Sequence, residues 1–228
     1  MKYLLSLIFG IMTLSATAQS GFKPFKHYTD RMAEFSLEDD IDSTQVVMLG
    51  NSLTEFGKDW NDLLGTYGVR NRGIASDTAM GIVNRLGEIA KGHPKAIFLC
   101  VGINDLSHDL SPSEVFSLCR QTIEEIRRQL PSTRLYVQSL LPFNESFNRW
   151  KTLAGRSHDV TIINGMLADY CEKEGLTFVN LYPQFVYEGT EILRKELTKD
   201  GLHLSPLGYE VWAAELRPYF RQLGQFDF

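Results

Sequence analysis

The chain has 228 residues, of which 43% are hydrophobic and 22% are charged, and its formal net charge is -5 at pH 7. This length fits one domain with a substantial buried core. The acidic balance disfavours nucleic acid or an anionic membrane as a partner, because binding to phosphates needs a basic surface. The three cysteines, Cys100, Cys119 and Cys171, are too few and too widely spaced for a disulfide framework or a zinc site.

The first residues have the pattern of a signal peptide. Lys2 supplies a positive charge, residues 4–14 are mainly apolar, and Ala16-Thr17-Ala18 is a small-residue cleavage site. We predict a signal peptide over residues 1–18, export to a periplasm or out of the cell, and a single domain over residues 19–228. An uncleaved anchor is the alternative, but the apolar segment is shorter than the roughly 20 residues of a membrane-spanning helix. We therefore expect no stable membrane insertion.

Short apolar runs alternate with longer segments of helical periodicity along the rest of the chain. The runs are rich in β-branched residues and have the length of strands that are buried on both faces. The longer segments repeat apolar residues every three or four positions, as amphipathic helices do. This alternation predicts an α/β domain with a parallel sheet. The predicted strands are residues 45–49, 68–72, 95–101, 134–139 and 176–179.

Two of the predicted helices have clear starting signals. Ser111 and Glu114 have the spacing of a capping box, in which each side chain binds a backbone N–H near the other residue. Ser205 and Pro206 suit the cap and first position of the last helix. His203 is therefore expected in a loop just before a capped helix, where its ring can face a cleft.

Three polar motifs come directly after predicted strands. Ser52, Gly73 and Asn104 follow the first, second and third strands in chain order. Ligands of open α/β sheets bind outside the carboxyl ends of the strands, so these residues are expected to converge at one edge. Ser52 suits a nucleophile that a general base activates, and the alternative interpretation is a helix N-cap.

The segment Asp200-Gly201-Leu202-His203 offers the base and its partner. His203 can take the proton of a serine hydroxyl, and Asp200 can hold the other ring nitrogen in the correct tautomer. A surface turn is the alternative interpretation of Asp200-Gly201. Acyl transfer by such a serine also needs donors to the oxyanion of the tetrahedral intermediate, for which the Ser52 N–H, the Gly73 N–H and the Asn104 amide are candidates. A turn glycine and a loop asparagine are the alternatives for the last two, and Asp105 is read as a supporting or capping residue.

Other chemistry-bearing residues give weaker patterns. His93, His108 and His158 have no metal-ligand spacing, so we expect surface histidines and no metal. Three aromatic residues follow the fourth predicted strand and suit either the floor of a substrate cleft or packing under a loop. These residues are Phe143, Phe147 and Trp150.

Together the four motifs resemble, in order and spacing, the sequence blocks of the SGNH hydrolases, also called the GDSL esterase and lipase family. The resemblance runs from about residue 46 to the last helix. It implies a three-layer α/β/α fold around a five-stranded parallel sheet, with no metal or organic cofactor. It also implies a catalytic triad of Ser52, Asp200 and His203, with an oxyanion hole formed by Ser52, Gly73 and Asn104.

The sequence departs from the family pattern at one position. Asn51 stands where the family usually has an aspartate before the nucleophile, which changes the local polarity. The chain also has Thr54 at the place of the second glycine in Gly-x-Ser-x-Gly, which disfavours the nucleophile elbow of the α/β-hydrolases.

The resemblance implies an exported serine esterase whose substrate is a small-molecule or glycan ester. Its closest likeness is to acetylhydrolases similar to platelet-activating-factor acetylhydrolase and to carbohydrate esterases, which favours acetyl groups on a sugar. A lysophospholipase or thioesterase for longer acyl chains is one alternative, and a non-catalytic glycan-binding protein on the same fold is another. The sequence leaves the oligomeric state open.

Replacement of Asp200 by asparagine tests the predicted triad. We expect Asp200→Asn to lower turnover of an ester by about 10⁴-fold, because the imidazole would be held in the wrong tautomer. Turnover is measured together with the circular dichroism spectrum, which is expected to stay that of the folded protein. Unchanged turnover in the folded variant would remove Asp200 from the mechanism.

Overall fold

A computed structural model describes residues 22–225 of the chain. The predicted signal peptide, residues 1–18, lies outside the described residues, so its cleavage stays a prediction. Within the described range, none of the helices is both long enough and apolar enough to cross a membrane.

Five strands form one parallel sheet in the described part of the chain, and each overlaps a strand predicted from the sequence. They are β1 (Val46–Gly50), β2 (Val69–Gly73), β3 (Ala96–Cys100), β4 (Arg134–Gln138) and β5 (Thr177–Val179). Their order across the sheet is β2-β1-β3-β4-β5, with every neighbouring pair parallel. Parallel strands need long crossover connections, and helices provide them here.

The helices form a layer on each side of this sheet. They are α1 (Lys26–Phe35), α2 (Ser52–Glu55), α3 (Trp60–Leu64), α4 (Ala79–Ala90), α5 (Ile103–Leu106), α6 (Pro112–Gln129), α7 (Ser157–Glu174), α8 (Tyr182–Phe185) and α9 (Pro206–Gln222). Helix α6 packs between α4 and α7 in one layer, and α3 packs against α9 in the other. The three-layer α/β/α fold expected from the sequence is therefore confirmed.

Both predicted helix starts are also present. At the start of α6, the Ser111 side chain and the Glu114 side chain each bind the other's backbone, which completes the capping box. At the start of α9, the Ser205 hydroxyl accepts a hydrogen bond from the Gly208 N–H. This second cap fixes the point at which the chain leaves the His203 loop and enters the helix.

Aromatic stacking holds α9 against the middle of the sheet. Phe98 on β3 is fully buried, and its ring centroid lies 4.4 Å from that of Tyr136 and 4.8 Å from that of Phe220. The planes are nearly parallel in both pairs. Such contacts add to the free energy gained from burying the rings.

Helix α1 is an element that the sequence patterns did not predict. Tyr28 and Phe35 on this helix pack with Ile74 in a cluster separate from the main core. His27 Nε2 also lies 3.0 Å from the Glu55 carboxylate at the end of α2. The helix therefore covers the turn after β2 and the end of the helix that carries Ser52.

Truncation of Phe98 tests the importance of its stacking with Tyr136 and Phe220. We expect Phe98→Ala to lower the free energy of unfolding by about 3–5 kcal/mol, because it removes both stacked contacts and leaves a cavity. Urea denaturation measures the change. The control is Leu37→Ala at a side chain that is 88% exposed, where we expect a change within about 0.5 kcal/mol. Similar values for the two variants would contradict a central role for Phe98.

Candidate active site

Ser52 is the first residue of α2, immediately beyond the carboxyl end of β1. Gly50 permits this sharp transition, because a Cβ there would lie 2.3 Å from the Thr54 hydroxyl and 2.5 Å from the Cys100 carbonyl oxygen. The N-cap of α2 is Asn51, whose side-chain oxygen accepts a hydrogen bond from the Leu53 N–H at 3.0 Å. The alternative interpretation of Ser52 as the helix cap is therefore wrong.

The capping role of Asn51 explains why an asparagine can replace the aspartate that the family usually has at this position. Asparagine and aspartate cap helices about equally well, since either side chain offers the oxygen that the N–H groups need. The Asn51 amide nitrogen is buried and has no hydrogen-bond partner among the described residues. The substitution thus keeps the cap and removes a negative charge beside Ser52.

The predicted triad residues form a continuous hydrogen-bonded chain. Ser52 Oγ lies 3.0 Å from His203 Nε2, and His203 Nδ1 lies 2.9 Å from Asp200 Oδ2. Ser52 and Asp200 are largely buried, and His203 is partly buried. The fold thereby brings together two segments that are separated by 151 positions in the sequence.

The carboxylate of Asp200 is held by its own loop. Its Oδ1 accepts hydrogen bonds from the Leu202 N–H at 3.0 Å and the His203 N–H at 2.8 Å, while Oδ2 faces the imidazole. Burial by itself raises the pKa of Asp200, but the hydrogen bonds from the His203 ring and the two backbone N–H groups outweigh it. The net effect lowers the pKa below its ordinary value. Asp200 is therefore ionised at neutral pH, as a partner of an imidazolium must be.

Gly201 lets this loop turn against the loop that follows β4. Its φ angle is 91°, which only glycine adopts readily, and a Cβ would lie 2.5 Å from the Asn144 carbonyl oxygen. The Asn144 N–H donates to the Gly201 carbonyl at 2.7 Å. Asp200 and Gly201 are buried, so the alternative interpretation of a surface turn is wrong, and the bend at Gly201 directs Asp200 towards His203.

Asn104 lies at the start of α5, beyond the carboxyl end of β3. Its side-chain amide donates to the Asp77 carbonyl at 2.8 Å. An asparagine amide has two N–H donors, so the second remains for a ligand. The Ser52 N–H at the start of α2 has no acceptor among residues 22–225, as expected for the first turn of a helix.

Gly73 differs from its predicted role. Its N–H donates to the Asn71 side-chain oxygen at 2.9 Å, and a Cβ at this position would lie 2.1 Å from the Glu55 backbone nitrogen. The N–H is therefore already paired, which argues against Gly73 as an oxyanion donor. Glycine is needed here because the end of β2 packs directly against α2.

Ser76 is a candidate donor that the sequence reasoning missed. It lies in the exposed turn after β2 with a φ angle of 66°, unusual for a residue other than glycine. No acceptor for its N–H is present in the described part of the chain. The turn is fixed by Glu55, whose carboxylate accepts the Ala75 N–H, and it leads into Asp77, whose carbonyl binds Asn104. The signal in the sequence was the run of small and polar residues between β2 and α4.

A buried ion pair supports both sides of this site. Arg85 on α4 pairs with Asp77 at 2.8 Å and donates to the Gly50 carbonyl at 3.0 Å. Both charged side chains are almost completely buried. The pair therefore connects the strand end that precedes Ser52 to the segment that binds Asn104.

Asp105 has the capping role proposed for it from the sequence. Both carboxylate oxygens lie 3.2 Å from the Ala79 N–H at the start of α4. Burial raises the pKa of Asp105 to about 7, although the hydrogen bond from the Ala79 N–H opposes the shift. Asp105 therefore titrates near neutral pH without contact with the triad.

Two aromatic rings contact the imidazole of His203. The ring centroids of Phe56 and Trp150 each lie 5.0 Å from that of His203. Of the three aromatic residues predicted near the cleft, Trp150 borders the triad, while Phe143 is buried and Phe147 is 37% exposed. Phe56 was not anticipated from the sequence.

The remaining predicted features lie away from the triad. His93, His108 and His158 are all exposed, and His158 pairs with Glu191 at 2.7 Å. Among residues 22–225, no group of three or more potential metal ligands comes together. The buried cysteines are unpaired, and burial raises the pKa of Cys100 to about 12.

The comparison with protein families matches residues 48–211 to the GDSL-like lipase/acylhydrolase family. The match covers more than half of the chain, so this protein belongs to the GDSL-like lipase/acylhydrolase family. The resemblance to SGNH hydrolases inferred from the sequence blocks is thereby confirmed. Family membership supports ester hydrolysis as the general class of activity.

Several solved structures share the fold of this chain. A protein described as a platelet activating factor from Streptococcus pneumonia has 24% sequence identity and a TM-score of 0.73, covering 84% of this chain and 90% of that chain. An acylhydrolase from Bacteroides fragilis NCTC 9343 has 19% identity and a TM-score of 0.75, covering 88% of this chain and 99% of that chain. A GDSL-like lipase from Bacteroides thetaiotaomicron VPI-5482 has 21% identity and a TM-score of 0.73, covering 86% of this chain and 97% of that chain. A comparison with curated protein sequences finds no match.

The raised pKa of Asp105 predicts a pH-dependent contribution to stability. In the folded protein Asp105 keeps its proton up to a pH of about 7, whereas in the unfolded chain it releases the proton near its ordinary pKa of 3.8. The free energy of unfolding therefore falls as the pH rises through this interval and is level above it. Asp105→Asn removes this titration while an amide oxygen still accepts the Ala79 N–H.

The difference between the variant and the wild type isolates this effect. We expect Asp105→Asn to gain stability relative to the wild type as the pH rises from about 5 to about 7 and to show no further gain above that. Urea denaturation at a series of pH values measures the difference. A difference that does not change with pH would show that Asp105 is ionised throughout the interval.

Proposed function

We propose that this protein is an exported serine esterase that hydrolyses carboxylic esters through an acyl-enzyme. The observation that carries the proposal is the hydrogen-bonded chain from Ser52 through His203 to an ionised Asp200. These are the groups that an activated hydroxyl nucleophile requires: a base within reach and a carboxylate that orients the base. Export rests on the signal pattern of residues 1–18.

In the first half of the reaction, Ser52 Oγ attacks the ester carbonyl carbon while His203 Nε2 takes the hydroxyl proton. His203 then gives this proton to the alkoxy oxygen, and the alcohol leaves. In the second half, His203 takes a proton from water, and the resulting hydroxide attacks the acyl-enzyme. The acid leaves, and Ser52 recovers its proton from His203.

The tetrahedral intermediate of each half carries a negative oxygen that needs donors. We assign this role to the Ser52 N–H, the free N–H of the Asn104 amide and the Ser76 N–H, in place of the predicted Gly73. All three lie in segments just beyond strand ends, at the edge where the triad lies. Loss of one such donor typically lowers turnover by about 10²–10³-fold.

For the substrate, we propose a small acyl group, acetyl above all, on a carbohydrate. The support is the likeness of the sequence blocks to acetylhydrolases and carbohydrate esterases. The ring of Phe56 beside His203 is 40% exposed and also offers apolar surface against which the ring of a leaving sugar can pack.

A second candidate is an esterase for longer acyl chains. The observation in its favour is a cavity of about 430 Å³ whose lining includes Phe143, Asn144, Tyr187 and Ile192. A long acyl chain that reached this cavity would bury apolar surface there. Substrate chain length distinguishes the two candidates.

Hydrolysis of p-nitrophenyl acetate, butyrate and octanoate by the wild type and by Ser52→Ala tests the proposal. We expect the wild type to prefer acetate and the variant to lose about 10³-fold or more of the turnover, because no other hydroxyl replaces the nucleophile. Thermal melting of both proteins serves as the folding control.

Each other result selects an alternative. A preference for octanoate would favour the esterase for longer chains. Ester hydrolysis that persists in the folded Ser52→Ala variant would rule out the serine mechanism. A folded wild type that cleaves neither these esters nor acetylated glycans would support a non-catalytic glycan-binding protein.

A further inference from the structure

The loop between β4 and α7, residues 139–156, holds the Asp200–His203 loop at several points. The Asn144 N–H donates to the Gly201 carbonyl at 2.7 Å. The indole N–H of Trp150 donates to the Asp200 carbonyl at 3.2 Å, and the same indole meets the His203 ring with the two planes at 78°. A single side chain thus contacts both members of the base–carboxylate pair.

Trp150 is itself well anchored. Its side chain is partly buried and packs against the main hydrophobic core. The next residues form a 3-10 turn, Lys151–Leu153, which ends on the buried Leu153. Because this packing restricts the motion of the indole, the indole in turn restricts the Asp200 backbone and the His203 ring that it contacts.

The geometry of His203 depends on such restriction. The imidazole is connected to the backbone by two rotatable bonds, and it must present Nε2 to Ser52 while Nδ1 stays on Asp200. The hydrogen bonds at its two nitrogens define a line through the ring and leave the ring able to tilt about it. An aromatic ring packed edge to face against the imidazole opposes this tilt.

We propose that Trp150 is a positioning residue for the Asp200–His203 pair, an inference that rests on the proposed serine esterase function. Its N–H fixes the backbone of Asp200, and its ring fixes the plane of the His203 imidazole. Removal of Trp150 is therefore expected to slow the proton transfer from Ser52 while the small ester still binds.

Two substitutions separate the two contacts. Trp150→Phe keeps an aromatic ring beside His203 and removes the N–H donor to Asp200, while Trp150→Ala removes both. The matched control is Lys151→Ala in the same loop. Lys151 is exposed, and its ammonium donates to the Asn148 side-chain oxygen at 3.2 Å.

The rate at which a fluorophosphonate labels Ser52 is the main measurement. In this reaction Ser52 Oγ forms a bond to phosphorus, fluoride leaves with the electrons of the P–F bond, and His203 takes the serine proton. The rate thus reports activation of the nucleophile without a contribution from a sugar substrate. Values of kcat and KM for p-nitrophenyl acetate, and the low-field proton NMR signal of the His203–Asp200 hydrogen bond, accompany it.

We expect Trp150→Ala to lower the labelling rate and kcat by about 10²-fold, the typical cost of a small misplacement of a catalytic group. Trp150→Phe is expected to lower them by about 3–10-fold, as the loss of one hydrogen bond does. KM should change by less than about twofold in both, because the small ester gains no binding energy from Trp150. The low-field signal should shift or broaden, and Lys151→Ala should behave as the wild type.

Other results overturn the inference. Wild-type labelling rates and an unchanged low-field signal in the Trp150 variants would do so, and if Trp150→Ala does not fold, Trp150→Phe decides. A rise in KM with unchanged kcat would show that Trp150 binds substrate instead. A wild type that is neither labelled at Ser52 nor active would overturn the proposed function and this inference with it, so the two failures are distinguishable.

Discussion

The buried guanidinium of Arg85 connects the segment that carries Ser52 with the segment that binds Asn104. It pairs with Asp77 and donates to the carbonyl of Gly50, two residues before Ser52, and the Asp77 carbonyl in turn holds Asn104. Burial raises the pKa of Asp77, and the charge of Arg85 opposes that shift. A buried pair of this kind contributes little net stability, but loss of one partner is costly because the other is left unpaired. The network therefore serves mainly to keep Ser52 and Asn104 in one fixed relation.

The other half of the site is built within a short loop. Asp200 binds the N–H groups of Leu202 and His203 with one oxygen and the His203 ring with the other, so four residues set most of the pair's geometry. What the loop cannot set is its distance from Ser52, which depends on the packing of α9 on the sheet and on the contacts of Trp150 and Asn144. A locally rigid pair is thus placed by elements that lie far from it in the sequence.

Much of the fold and of the triad could be predicted because the signals are local. Strands buried on both faces have runs of apolar residues, and the spacing of Ser111 and Glu114 indicates the capping box of α6. One assignment was wrong and one candidate donor was missed for the opposite reason. The turn that leaves the Ser76 N–H without an acceptor, and the pairing of the Gly73 N–H with Asn71, depend on how the end of β2 meets α2. No pattern of residue types reports that contact, and helix α1, which covers it, was not predicted from the sequence.

The sequence by itself determined the α/β class, the five strands and the identity of the serine, aspartate and histidine, because hydrophobic periodicity and motif spacing are properties of neighbouring residues. Only the tertiary structure decided which N–H groups stay unpaired beside Ser52, that Asn51 caps α2, and that Phe56 and Trp150 contact His203. These features arise where segments distant in the chain pack together. Their geometry is a balance of burial and hydrogen bonding across the whole domain, and this balance exists only once the chain has folded.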